Sequence, residues 1–354
     1  TPKPSSAASD VYKRQLQGGI VNDAEVVFDQ AKTGSYAGAM SGTGKLRKIG
    51  TGTLTLTSAN SYAGGTFVDA GTLATDVTGA LGSGAASVAS GGTLQLGGGF
   101  DAGTTAIGNQ GTVRFQDKAS AGTSTITNIA GGVLAFADDA TADKATVLNQ
   151  AGAQVRIDQS TTGVSFGSLS GAGEFVLGAK ALTLGASGDS TTLSGTISGN
   201  GGSVVKVGAG TLTLTGANTY TGGTTVGAGT LSVNNKSGSA TGTGAVLVQS
   251  GATLAGSGSI AGAVTIDKGG ILAAGNSPGT LTLGALTLAG GSTLNYELGQ
   301  AGVPGGALND LINVTGNLQL DGTLNVAQSA GGSFGPGLYR LMSYGGSFTD
   351  NGLD

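Results

Sequence analysis

The chain has no cysteine, no histidine and no tryptophan. Without cysteine there are no disulfides, thiolate nucleophiles, iron–sulfur clusters or zinc–thiolate sites. The missing histidine removes the commonest metal ligand and general base, and with it every Ser-His-Asp arrangement. Only 5 of the 354 residues are proline and 10% are charged. Lys plus Arg total 16 against 20 Asp plus Glu, spread thinly, so no basic stripe exists to hold a phosphate backbone, and nucleic acid is excluded as a partner. No run of about 18 apolar residues is present for a membrane helix, and no signal-peptide pattern opens the chain.

What is abundant is glycine, with 71 residues. Collagen would require glycine at every third position and much proline, yet Leu54 to Asn60 contains no glycine at all. Disorder would couple low hydrophobicity with high net charge, whereas 38% of residues are hydrophobic and the net charge is −4. From Gly18 onward the composition is uniform, which fits one long repetitive body better than several domains. Residues 1–15 differ, carrying Pro2, Pro4, Lys3, Asp10, Lys13 and Arg14. They read as a non-native or flexible arm, and the true N-terminus is expected to lie outside the chain.

The body repeats. Ile49 to Leu73 reads IGTGTLTLTSANSYAGGTFVDAGTL and Val207 to Leu231 reads VGAGTLTLTGANTYTGGTTVGAGTL, with 18 identities in 25 ungapped positions. Such self-similarity marks stacked units that bury their apolar faces on one another. A shorter period lies beneath it: Leu54, Leu73, Leu94, Val113, Leu134 and Val155 follow glycine and a small residue at spacings of 19, 21, 19, 21 and 21. Within each unit the apolar residues alternate, as at Leu94 and Leu96, Leu182 and Leu184, or Leu212 and Leu214. Period two means strands, and the intervening Thr, Ser and Gln suit a solvated sheet face. Glycine pairs such as Gly64-Gly65, Gly222-Gly223 and Gly290-Gly291 mark the corners. A leucine-rich horseshoe needs a fixed Leu/Asn consensus, and propeller blades need about forty residues with aromatic anchors. The reading is therefore all-β: a right-handed parallel β-helix of about twenty residues per coil.

Candidate sites are few. Asn60 with Tyr62 recurs as Asn218 with Tyr220. A sugar site is conceivable, but asparagine bonds locally at turns and repetition marks architecture first. Asp138, Asp139 and Asp143 beside Lys144 form the densest acidic cluster. Catalysis or calcium would need a second converging cluster, and the scattered Asp158, Glu174, Asp189, Asp267 and Glu297 supply none. The GGGFDAG stretch from Gly97 to Gly103 matches a phosphate loop only loosely, since no helix is expected after it. No catalytic, cofactor or metal residue is assigned.

Gly52 to Leu73 and Gly210 to Leu231 resemble the passenger-associated transport repeat of autotransporters, the type V secretion proteins of Gram-negative cells. Gly269 to Leu298, GGILAAGNSPGTLTLGALTLAGGSTLNYEL, is similar to the segment that commonly follows it. Asp310, Ile312, Val314, Gly316, Leu318, Leu320, Gly322, Leu324 and Val326 resemble the D-x-I-x-V-x-G pattern near a passenger's C-terminal end, with Tyr339, Leu341 and Tyr344 after it. The resemblance implies a β-helical passenger over 16–309 and a C-terminal segment over 310–354 that seeds folding and caps the rod, helped by the bulk of Phe334, Tyr339, Tyr344 and Phe348. It also implies a surface-displayed, non-enzymatic adhesin or self-association rod. Its partners would be a host or neighbouring-cell glycan or protein, further copies of itself, and an outer-membrane translocator barrel expected beyond Asp354. The competing readings are a β-helical polysaccharide-degrading enzyme, with acids on adjacent coils, and a stalk for a domain preceding this chain.

Overall fold

A computed structural model describes residues 18–353; the arm assigned to residues 1–15 lies outside them. Every pairing between named strands is parallel and joins one turn to the next, and no helix occurs among the described residues. The chain is a parallel β-solenoid. Its strands fall into three columns, best seen by following partners. In one column Gly34, Leu54, Leu73, Leu94, Val113, Leu134, Val155, Phe175 and Ile197 lie in register. A second aligns Val26, Leu46, Thr66, Ala86, Ile107, Ile126, Val147 and Leu169, then resumes through Leu212, Leu231, Leu254, Leu272, Leu294 and Leu324. The third is regular from Val164 through Leu182, Val204, Thr224, Val246, Val264, Leu286 and Leu318. Earlier it is reduced to a two-residue pair, Ile20–Val21 with Met40–Ser41, and to single bridges such as Asp101–Ser120 and Ser120–Thr141.

The alternation is realised as burial. Leu54, Leu56, Leu94, Leu96, Leu212 and Leu214 point inward and are buried, while Thr55, Gln95 and Thr213 between them are partly exposed. Aromatic rings extend the core where a column brings them over one another: Phe115 stacks on Phe136 at 5.1 Å, and Phe136 meets Phe166 edge-on at 5.3 Å. Glycine is required at the corners. Gly71 has φ of +65°, and a Cβ there would sit 2.4 Å from the Gly50 carbonyl oxygen of the turn before; Gly229 at +66° meets Gly208 in the same way. Corner crowding of this kind accounts for part of the glycine excess.

The two long repeats occupy different faces. Leu54 lies in the first column and Val68 in the second, whereas Leu212 lies in the second and Val226 in the third. Ile197 is stacked seven turns from Leu54, and Leu212 follows two strands later. The repeat thus encodes a strand–corner–strand geometry that fits any face of the rod.

Polar side chains are also held inside. Asn109, Asn128 and Asn149 are fully buried and form a ladder: Asn109 Nδ2 donates to Asn128 Oδ1 at 2.7 Å, and Asn128 Nδ2 to Asn149 Oδ1 at 2.8 Å. Asn109 and Asn128 give their second amide hydrogens to the carbonyls of Val133 and Gln154, and Asn149 Nδ2 donates to that of Glu174. Each long repeat is immediately preceded by a buried lysine. Lys48 Nζ donates to the carbonyls of Ile49, Gly50 and Ala70, and Lys206 Nζ to those of Val207, Gly208 and Ala228, at 2.6 to 3.2 Å. Burial holds both ammonium groups below the ordinary lysine value.

At the C-terminal end the aromatic residues do not bury as the sequence suggests. Phe334, Tyr344 and Phe348 are 51%, 49% and 42% exposed, although Tyr344 stacks on Phe348 at 5.0 Å and Phe334 lies 5.7 Å from Tyr339. Strands Met342–Tyr344 and Phe348–Asp350 each pair with the preceding turn only, so the bulk meets protein on one side.

The tyrosines give a test of the packing. Burial pushes Tyr62 up to about 12, against a lowering from its hydrogen bond with Thr66, and it raises Tyr220 and Tyr296 as well. A phenol whose folded pKa lies above its unfolded value keeps a proton that the unfolded chain releases, so stability falls as pH rises above about 10. Lys48 and Lys206, shifted down, act oppositely just below their ordinary value of 10.5. In an alkaline titration, phenolate absorbance from Tyr62, Tyr220 and Tyr296 is expected to appear together with loss of the sheet signal. Ionisation of all three while the sheet signal persists would contradict the packing.

Candidate functional site

The repeated Asn and Tyr serve the stack. Asn60 Oδ1 accepts the Met40 amide of the previous turn at 2.7 Å, and its Nδ2 donates to the Ala80 carbonyl of the next at 2.6 Å. Asn218 repeats this between Ile197 and Ala240. Tyr62 and Tyr220 are fully buried, with their hydroxyls 2.6 and 2.5 Å from Thr66 and Thr224 Oγ1. The two asparagines tie each turn to its neighbours, the tyrosines brace the corner within a turn, and their buried rings offer nothing to a ligand outside.

The aspartates lie at stacked corners. Asp117, Asp138 and Asp143 adopt positive φ of 55°, 55° and 46°, a conformation aspartate tolerates. Asp138 Oδ2 accepts the Asp117 amide at 3.2 Å, while Asp143 Oδ2 accepts the Ser120 and Thr141 hydroxyls. Among the described residues no group of three or more acidic side chains is placed to hold a metal. Asparagine also accepts such bonds and tolerates such φ values. Changing Asp138, Asp139 and Asp143 together to Asn is therefore expected to alter stability by less than about 1 kcal/mol; calcium-dependent melting that vanishes in the triple variant would overturn this. The Gly97–Gly103 stretch is another such corner: Gly98 donates its amide to Asp117 Oδ2 at 3.1 Å, and strands lie on both sides.

Of the scattered acids, Asp158 is held by Arg156 at 2.7 Å. Glu297 enters an arrangement the sequence reading missed. Here the loop Gly275–Gly279 folds over strand Thr293–Leu298 and meets Asp310, bordering a groove of about 380 Å³. The buried Asp310 accepts the Gly279 amide at 2.8 Å through Oδ1 and the Glu297 amide at 2.7 Å through Oδ2, and the Ser277 hydroxyl donates to Glu297 Oε2 at 2.6 Å. Burial raises the Asp310 pKa, the two amide bonds lower it, and the nearby Glu297 charge adds a further rise; the balance stands above the usual carboxylate value. Asn295 and Asn325 line the floor, bonded to each other at 3.2 Å. Two carboxylates thus share a groove, but both oxygens of Asp310 are engaged by backbone amides, so it pins the loop. Asp310 and Gly279 are 31 residues apart but immediately precede strands that pair in register, Thr280 opposite Leu311, so this long turn stacks the carboxylate directly on the loop's last residue.

The family model described as passenger-associated-transport-repeat matches residues 46–74 and 204–233. Both matched segments include the strand, corner and buried Tyr–Thr pair described above. A curated relative, the Adhesin BmaC autotransporter of Brucella suis biovar 1 (strain 1330), is 62% identical over 92 residues, which is 26% of this chain and 3% of that protein. The chain therefore spans a small part of the length of the relative it matches.

Proposed function

We propose that this chain, which carries two passenger-associated transport repeats and is similar over 92 residues to an autotransporter adhesin, is a stretch of a surface-displayed, non-enzymatic adhesin rod. In this reading it stands outside the cell, held at the outer membrane through a translocator barrel encoded beyond Asp354. It meets a neighbouring or host surface, or another copy of itself, and does not act on nucleic acid. The observation that carries the reading is the 62% identity with part of an adhesin. The structure supports it physically: the repeated residues are spent on holding turns together, and many outward positions, such as Thr183, Thr213, Thr265, Thr287 and Asn295, carry short or polar side chains. Such positions present many equivalent weak contacts along a line, and their combined strength comes from multiplicity.

The test is display. Fused to a translocator barrel on a non-adherent bacterium, the chain is expected to increase attachment to host cells or clumping of the bacteria over the barrel alone. Unchanged attachment and clumping, with the passenger detected on the surface, would remove the reading. The Glu297–Asp310 groove favours one competitor, a polysaccharide-cleaving enzyme. Release of reducing ends from a polysaccharide, lost in Glu297→Gln, would establish it in place of the adhesin.

A further inference from the structure

Along the outer side of the first column the ladder reads Gln95, Arg114, Ala135, Arg156 and Val176 on successive turns. Arginines two turns apart, about 9.5 Å along the rod, flank a single alanine. Between them lies a slot of about 140 Å³ lined by Val133 and Ala135, with Thr112, Gln159 and the Arg156-paired Asp158 also around it. A register shift between Ala135 and Ala137 sets Gln159 opposite Ala137. From there it reaches back across the slot, and its Oε1 accepts Arg114 Nη1 at 2.7 Å.

The two guanidinium groups differ in charge balance. Arg156 is paired with both oxygens of Asp158, Nε to Oδ1 at 3.1 Å and Nη2 to Oδ2 at 2.7 Å. Arg114 is held by two neutral amides, donating through Nε to Gln116 Oε1 at 3.1 Å and through Nη1 to Gln159. It enters none of the ion pairs among the described residues. A half-buried guanidinium fixed in orientation, without a carboxylate of its own, is prepared for a planar anion. Because Gln159 spends its carbonyl on Arg114, its NH₂ group remains as a further donor beside the slot.

We propose that this slot binds the carboxylate of an acidic sugar in a linear polysaccharide lying along the rod, a proposal that deepens the adhesin reading and rests on it. Arg114 takes the carboxylate, Gln159 and Thr112 take hydroxyls, and the flat Ala135–Val133 floor receives the C–H face of the ring. An acidic peptide fits less well. The strands of this column are bonded to turns on both sides, so no free edge exists for strand addition.

The experiment is calorimetric titration of the full chain with polygalacturonate, with its methyl ester, with dextran sulfate and with poly-glutamate. Polygalacturonate is expected to bind at least tenfold tighter than the other three. Arg114→Gln is expected to weaken it at least tenfold with an unchanged melting curve, and Arg114→Lys to fall between. Ala135→Leu, which fills the slot without changing charge, should weaken binding similarly and decides the matter if Arg114→Gln fails to fold. No binding of polygalacturonate, equal binding by both substituted proteins, or equal or tighter binding of the ester, the sulfate or the peptide overturns the site. A displayed passenger that holds cells but binds no polygalacturonate defeats this inference and leaves the adhesin reading intact; one that binds polygalacturonate but holds no cells does the reverse.

Discussion

Leu212→Asp is expected to cost at least about 4 kcal/mol and to open the rod in its middle. The side chain is 1% exposed and sits between Thr191 and Leu231 in the second column. A carboxylate there would lie within a stack of aliphatics, with neutralisation or local unfolding as its outlets. In a solenoid each turn is stabilised by its two neighbours, so a broken turn uncouples the segments on either side. The expected signature is a broadened thermal transition with protease cuts near residue 212. Thr213→Asp is the control: its side chain points outward and is partly exposed, and its cost should be below about 1 kcal/mol. Equal losses at the two positions would contradict the alternation on which the fold rests.

That alternation was the most legible feature of the sequence, because a strand with one buried face must place apolar residues at every second position. The turn length was legible too. Leu54, Leu73, Leu94, Val113, Leu134 and Val155, spaced by glycine-preceded aliphatics, are register partners in this order. What the period could not convey is which face a segment occupies. Between the two long repeats, turns of 18 to 22 residues accumulate offsets, so two nearly identical segments end on different faces. The inward lysines were illegible for another reason. Lys48 and Lys206 stand where the alternation demands an inward side chain, yet a cation is ordinarily read as solvated. Only the geometry of the glycine corner reveals three carbonyls converging on each ammonium.

The C-terminal aromatics teach the converse. Bulk was read as burial, but Tyr344 and Phe348 belong to strands with a partner on one side only. The candidate sites were less legible than the fold. Asp310 looked like the start of a strand and Glu297 like a stray acid; their meeting depends on the antiparallel Leu298–Asn309 bridge that closes the irregular segment 299–308, which has no periodicity to read. Arg114 and Gln159 are separated by 45 residues and brought together by a register shift in a strand pair. A bulge of this kind leaves no mark in the hydrophobic pattern.

Asn128→Leu is the second substitution of large expected effect, about 2–4 kcal/mol of destabilisation. The side chain is fully buried in the middle of the ladder, accepting from Asn109 and donating to Asn149 Oδ1 and to the Gln154 carbonyl. Leucine has nearly the same shape and is more apolar, so a transfer argument alone predicts stabilisation. The decisive term is what it strands. Asn149 Oδ1 loses the donor from Asn128, and Asn109 loses its acceptor there, each on a fully buried side chain, at about 1–3 kcal/mol for each orphaned group. The ladder also sits against a glycine corner, since a Cβ at Gly132 would lie 2.5 Å from Asn128 Oδ1, and leucine must place a branched methyl in that space. A network that acts as a unit is not additive. Changing Asn109, Asn128 and Asn149 together should therefore cost less than the sum of the three single changes, because the later changes remove groups already orphaned by the first. Denaturant melts of the three singles and the triple supply the comparison. A wild-type midpoint for Asn128→Leu, or strict additivity of the three, would show that the ladder fills space and contributes no polar specificity to the register of the second column.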